Sequence, residues 1–127
     1  MNHLGIINQE IQNHRKALEM IDNKFKRKII SVSKVLSKSL KKGGTIYWCG
    51  NGGSASDSMH LSTELIGRFK KNRKPLKSIS LSSNASALTC ISNDFGFENL
   101  FSRQIEALGK KNDVLIAIST SGNSKNI

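Results

Sequence analysis

Proline occurs once, as Pro75, and cysteine twice, as Cys49 and Cys90. Two cysteines without CxxC or zinc-ribbon spacing exclude a disulfide framework and predict reduced core thiols of a cytoplasmic protein. Long apolar runs are missing too. The longest, Ile46–Cys49 and Val114–Ile118, are too short to span a bilayer, so no membrane partner is expected. No basic segment followed by an apolar one opens the chain, so no secretory signal is expected. Acidic residues number 9 against 20 basic ones, for a net charge of +11. That imbalance invites a nucleic-acid reading. Aromatics make up only 6% of the chain, and the basic runs Lys24–Lys28 and Lys70–Lys74 carry few on which bases could stack. Ten of the basic residues lie in 1–42 and ten in 43–127, so no block dominates. A solvated lysine-rich surface is the expectation, with no nucleic-acid partner.

What is present suits one domain with a modest core. Leu4, Ile7, Ile11, Leu18, Ile21, Phe25, Ile29, Val32, Val35, Leu36 and Leu40 recur at helical spacing, with a break expected near Asp22-Asn23. Lys41-Lys42-Gly43-Gly44 is a helix stop. Residues 1–42 are therefore read as an N-terminal helical segment and 43–127 as the domain proper. A buried strand is predicted at Thr45–Cys49. A helix follows to Arg68, with Met59, Leu65 and Ile66 as its core contacts. Residues 77–82 read as a second strand, 84–92 and 98–108 as helices, and Asp113–Ser119 as the clearest strand. Alternating strands and helices indicate an α/β fold with a parallel sheet, which needs helices on both faces. The third strand ends just before Ile127. The expectation is a truncated product, the alternative being completion by partner subunits.

Two loops stand out chemically. Gly50-Asn51-Gly52-Gly53-Ser54 joins the first strand to a helix, where glycines allow close backbone approach and the helix start attracts anions. Its Gly-x-Gly-x-x-Ala form also fits a dinucleotide fingerprint. No acidic residue lies between Glu64 and Asp94 to hold a ribose, which disfavours NAD. No Gly-Lys-Ser/Thr closes a P-loop either. Ser119-Thr120-Ser121-Gly122-Asn123-Ser124 follows the third strand. Its hydroxyls, at an expected helix start, form a neutral phosphate cradle. Ligands of open parallel sheets bind outside the carboxyl ends of strands, so two such loops reinforce each other. His60 and Glu64, four apart, share a helix face. They read as a divalent-metal pair, as Glu64 acting as general acid/base, or as an exposed helix pair. Ser92–Gly96 offers Asn93 and Asp94 to a sugar, or is a helix-ending turn.

In order and spacing, Gly50–Ser54, Asp57, His60, Glu64, Asn93–Phe97 and Ser119–Ser124 resemble the phosphoheptose isomerases of the sugar-isomerase (SIS) family. The likeness covers nearly the whole chain. It implies a three-layer α/β/α, flavodoxin-like SIS fold with a parallel sheet, assembled as a homotetramer. It implies the interconversion of sedoheptulose 7-phosphate and D-glycero-D-manno-heptose 7-phosphate, for bacterial surface glycans. Carried over by motif, Asn51, Gly52, Gly53, Glu64, Asn93 and Asp94 would meet the substrate. Ser119, Thr120, Ser121 and Ser124 would hold its phosphate, and Glu64 would be catalytic. His60 and Glu64 would be ligands of one zinc per subunit. The family's further histidine and glutamine, on a later helix, have no match here, so the resemblance implies an incomplete metal site and impaired catalysis by this chain alone. The alternative is a non-catalytic SIS module, such as a replication-initiator-associating protein. The intact Glu64 and serine loop favour the isomerase.

Overall fold

The computed structural model describes residues 2–127. Two compact units divide the chain, one up to Val35 and the other Leu36–Ile127. The first holds α1 (His3–Glu19) and most of α2 (Asn23–Lys41). Asn2 caps α1 by accepting from the Gly5 N–H at 3.0 Å, and Asp22 starts α2 by accepting from the Phe25 N–H at 2.7 Å. Such caps satisfy amides that no helical carbonyl reaches. The break thus falls where the sequence places it. Leu4, Ile7, Ile11, Leu18, Phe25, Ile29, Val32 and Val35 are all exposed within the single chain.

The second unit starts in the last turns of α2. That helix ends in a Schellman motif: Gly43 N–H donates to Leu40 and Gly44 N–H to Ser39, both at 3.0 Å. The Ser39 hydroxyl donates to the Asn112 carbonyl at 2.6 Å, and Asp113 accepts from the Thr45 amide at 2.7 Å. These bonds level the starts of two strands. Then come β1 (Ile46–Gly50), α3 (Gly53–Ile66), β2 (Ser78–Ser80), α4 (Ala85–Phe95), a 3-10 turn (Phe97–Asn99), α5 (Ser102–Leu108) and β3 (Val114–Ile118). All three strands are parallel in the order β2-β1-β3. Ile46 faces Ser78 and Val114 across the two ladders, and Gly50 faces Ile118.

The architecture is α/β/α. Every residue of the central β1 is buried. On one face Tyr47 and Cys49 join Leu81, Leu100 and Phe101, with Leu88, Ile91 and Ile105 packed against them from α4 and α5. Burying a side chain the size of Leu81 or Phe101 contributes about 2–3 kcal/mol. Gln104, buried here, donates to the Leu81 and Leu100 carbonyls at 3.1 and 3.0 Å, so its burial leaves no amide proton stranded.

The other face of the sheet carries Ile46, Trp48 and Gly50 and meets α3 through serines. Ser54, Ser58 and Ser62 are the buried residues of α3. Ser58 and Ser80 share a hydrogen bond at 2.7 Å, and the Trp48 indole donates to Ser78 at 2.8 Å. This corrects the expected contacts of α3. Met59 and Ile66 are exposed and line a groove at the free edge of β2. Small hydroxyl side chains let the helix lie closer to the strands than methionine or isoleucine would. Arg73 closes this helix, donating to the Glu64 and Leu65 carbonyls at 2.8 Å each.

Other readings also shift. Cys49 is buried but Cys90 is exposed, because it lies on the outer face of α4 rather than in the core. Residues 92–95 form the last turn of α4 and Gly96 ends it, the helix-ending alternative of the Ser92–Gly96 reading, with the helix running three residues past 92. Residues 119–127 form bends and a turn, closed by the Ile127 amide donating to the Ser124 carbonyl at 3.0 Å.

Gly50 and Gly52 test the helix–strand approach. A Cβ on Gly50 would come within 2.5 Å of the Ser54 carbonyl oxygen, a backbone atom that cannot swing aside. Gly52 has open space but sits at φ +54° and ψ −119°, which side chains resist. Gly50→Ala is expected to cost about 1–3 kcal/mol by overpacking, and Gly52→Ala about 1–3 kcal/mol by backbone strain. Urea unfolding checks both, and an unchanged midpoint for Gly50→Ala would contradict the close approach.

Candidate functional site

The strand order places the site. From β1 the chain crosses by α3 to β2 on one side, while β3 pairs on the other. Loops after β1 and β3 therefore diverge at a topological switch point, where parallel sheets leave a crevice. Gly50 and Ile118 are ladder partners, so both loops leave the sheet at one level.

The first loop is held from below. The Ser82 hydroxyl donates to the Gly50 carbonyl at 3.0 Å and accepts from the Gly50 amide at 3.3 Å. No side chain caps the start of α3. The Ser54 and Ala55 amides turn back on the Asn51 and Gly52 carbonyls at 3.0 Å each, which leaves the Gly53 amide and the positive dipole end to an anion. A cleft of about 360 Å³ opens beside this loop, lined by Gly50, Asn51, Gly52, Ala55 and Ser82. Its opposite wall is Leu88, Thr89 and Ser92 of α4, with Phe97, Leu100 and Phe101. An apolar wall with a few fixed polar groups is usual for small-molecule sites.

In the second loop the Ser119 hydroxyl lies 3.4 Å from those of both Ser121 and Ser124. Ser119 also accepts from the Gly122 amide at 3.1 Å, and Ser121 from the Asn123 amide at 3.2 Å. The loop is thus shaped by its own hydroxyls, which hold donors in a tight group. Thr120 is exposed at its rim. The two loops are tied by a reciprocal amide pair. Asn51 donates to Asn126 at 2.8 Å, and Asn126 donates back at 2.9 Å. Sequence reasoning missed Asn126 and Ser82. The signal for Ser82 was the alternation Ser78, Ser80, Ser82 along one strand face. For Asn126 it was only a short polar residue two places after Ser124.

The remaining candidates are spread around this centre. Gly53 begins α3. Asn93 and Asp94 lie on the last turn of α4, exposed, with the Asn93 amide donating to Asp94 at 2.7 Å. The α4 residues on the cleft wall are Leu88, Thr89 and Ser92 instead. His60 and Glu64 pair at 3.5 Å further along α3, outside the cleft wall. Glu64 is half-buried, and its Oε2 is fully buried with no hydrogen-bond partner. An orphaned carboxylate oxygen is costly and marks a place for a proton, a cation or a ligand hydroxyl. Among the described residues no group of three or more His, Cys, Asp or Glu side chains converges as a metal site. His60 Nε2 and the Glu64 carboxylate are two donors of the types zinc accepts, against the three that catalytic zinc sites take from protein.

Comparison with known proteins gives one family. A family model described as the SIS domain matches residues 11–127. A phosphoheptose isomerase of Helicobacter pylori (strain Shi470) is 51% identical over 123 residues, which are 97% of this chain and 64% of that protein. Phosphoheptose isomerase 1 of Campylobacter jejuni is 50% identical over 124 residues, 98% of this chain and 66% of that one. The chain thus spans a little under two thirds of these relatives. Among solved structures, a phosphoheptose isomerase from Francisella tularensis superposes with a TM-score of 0.94 at 32% identity, covering 99% of this chain and 66% of its own. One from Neisseria gonorrhoeae gives a TM-score of 0.80 at 36% identity, covering 97% and 61%.

The two cysteines report on the core and on the outer face of α4. Burial raises the Cys49 thiol above its ordinary pKa. Cys90 is also raised, chiefly by its hydrogen bond to Asp94 at 3.5 Å and then by that carboxylate's charge. A raised pKa means less thiolate at a given pH. In the folded protein at pH 8, iodoacetamide is expected to modify Cys90 before Cys49. Asp94→Asn is expected to speed Cys90 alkylation, because the group that disfavours the thiolate is gone. Mass spectrometry of timed aliquots measures both, and an unchanged rate in Asp94→Asn would deny the contact.

Proposed function

This chain belongs to the SIS-domain family, and from that membership we propose that it supplies the sugar-phosphate site of a phosphoheptose isomerase. The substrate would be sedoheptulose 7-phosphate and the product D-glycero-D-manno-heptose 7-phosphate. The observation that carries this reading is the meeting of the glycine loop and the serine loop at one sheet edge, joined through Asn51 and Asn126. Identity near one half to curated phosphoheptose isomerases supports it. Residues 1–42 would be the helical segment that precedes the domain at 43–127.

In this reading the phosphate sits among Ser119, Thr120, Ser121 and Ser124. Hydroxyls and backbone amides neutralise it through hydrogen bonds, without a lysine. Binding energy gained there, far from the reacting carbons, serves to position the sugar. Asn51, Gly52 and Gly53 hold the sugar end at the start of α3, and Asn93 and Asp94, exposed on the last turn of α4 and not among the cleft-wall residues, would meet its hydroxyls. Ketose-to-aldose conversion takes a proton from C1 and returns one to C2 through an enediol. Glu64 is the acid/base. Its partly buried carboxylate, with one oxygen free of protein partners, suits a group that must accept and release a proton. The donor chemistry of His60 and Glu64 fits zinc as part of a larger ligand set. When bound, zinc would supply Lewis-acid polarisation of the substrate oxygens. We place the protein in the cytoplasm as a homotetramer. Among the described residues no helix is long and apolar enough to cross a membrane.

Turnover of sedoheptulose 7-phosphate by the protein expressed from its own reading frame tests this. Glu64→Gln is expected to lower kcat about 10²–10⁴-fold with little change in KM. Ser124→Ala is expected to act mainly on substrate affinity, by about fivefold for one lost hydrogen bond. Undiminished kcat in Glu64→Gln would remove that residue from the chemistry. Binding of the sugar phosphate no tighter than inorganic phosphate would remove the substrate.

A further inference from the structure

We propose that Asn126 is a positioning residue that locks the phosphate loop to the sugar loop, so that each end of the substrate site is ordered by the other. The idea rests on the sugar-phosphate reading for its ligand, but its geometry stands without one. Past the last rung of the ladder, at Gly50 and Ile118, the backbones of the two loops are no longer paired as strands. Beyond it, Asn51 and Asn126 exchange two hydrogen bonds, at 2.8 and 2.9 Å, across 75 positions of sequence. The Asn126 side chain belongs to a residue only 8% exposed, so water competes poorly for its bonds. The turn that carries it is closed by the Ile127 amide donating to the Ser124 carbonyl at 3.0 Å. Asn126 is therefore fixed to the serine loop by backbone and to the glycine loop by side chain.

The chemistry of a reciprocal amide pair suits this role. Each amide spends one N–H and one lone pair on its partner. Asn51, which lines the cleft, keeps its second N–H and second lone pair for a ligand. Paired this way, it presents them in a fixed orientation. Ordering of the serine loop by a phosphate then reaches Asn51 through Asn126. By reciprocity, a sugar held at Asn51 favours the phosphate-ready loop.

The test compares wild type with Asn126→Ala, which removes both bonds, and Asn126→Asp, which keeps the shape but sets a carboxylate oxygen against Asn51 Oδ1 in place of the N–H that bonds it. Without ligand, hydrogen exchange of the Ser54 and Ala55 amides, which close on the sugar loop, is expected to quicken about tenfold in Asn126→Ala and at least as much in Asn126→Asp. With ligand, calorimetry gives the ratio of sedoheptulose 7-phosphate affinity to inorganic phosphate affinity. That ratio is expected to fall about tenfold in both variants. A residue that only stabilised the turn would leave the ratio and the distant amides unmoved, and that result overturns the proposal. An aspartate variant that behaves as wild type overturns it as well, since side-chain shape rather than the amide pair would then hold the loops together. If Asn126→Ala does not fold, the aspartate variant against wild type carries both readouts. A wild type that binds the sugar phosphate no better than phosphate counts against the isomerase reading, and the ligand-free exchange still decides the role of Asn126.

Discussion

Gly50 and Ile118 end their strands side by side, and the geometry of the site descends from that pairing. Parallel strands can place two loops at one level only if their starts are also levelled. Here that is done by Asp113, which accepts from the Thr45 amide at the foot of β1 just before β3 begins. Ser39 adds a bond from the end of α2 to Asn112. A slip of one residue in this register would reverse the faces of β3 and carry the serine loop about 3.3 Å along the strand axis. That is longer than a hydrogen bond, so Asn126 would no longer meet Asn51, and the serine loop, though shaped by its own hydroxyls, would sit at the wrong level.

The interior that supports this edge is unequal on its two sides. One face is an ordinary apolar core, with Tyr47, Cys49, Leu81, Leu100 and Phe101 at its centre. The other face is a seam of hydroxyls. Ser58 and Ser80 bond to each other, and Ser78 takes the Trp48 proton, so the seam is internally satisfied. Burying polar groups this way costs little only because each finds a partner. The seam also lets the first turn of α3 press on the end of β1, where Gly50 has no side chain to obstruct it.

Much of the fold was legible because its signals are local. The stop at Gly43, the break before α2 and the apolar strands 46–49 and 114–118 all follow from propensity and periodicity. The core contacts of α3 were not legible. Met59 and Ile66 carry the hydrophobic signal, yet the helix buries Ser54, Ser58 and Ser62 at the same four-residue spacing. A pattern of serines looks polar until the neighbouring strand is known to offer serines in return. At the site, the glycine and serine loops were readable from glycine spacing after a strand and from hydroxyl density. Asn126 was not, because its role depends on a residue 75 positions away. Cys90 was misplaced for a related reason: cysteine is a buried type on average, but its position on α4 faces out.

The fork of Arg73 has a bearing on how this chain tolerates change. Its guanidinium holds the Glu64, Leu65 and Lys74 carbonyls, and the Leu76 amide returns to the Leu65 carbonyl at 3.1 Å. These bonds staple the far side of the basic loop to the end of α3. The stretch from Gly67 to Asn72 lies between the staple and the helix as a slack span. Doubling the length of such a span costs only about 0.6 kcal/mol in closure entropy. Insertions are therefore cheap before Arg73 and expensive after it. Length variation among homologues, or an engineered tag, has a natural berth at 67–72 that leaves Glu64 in register.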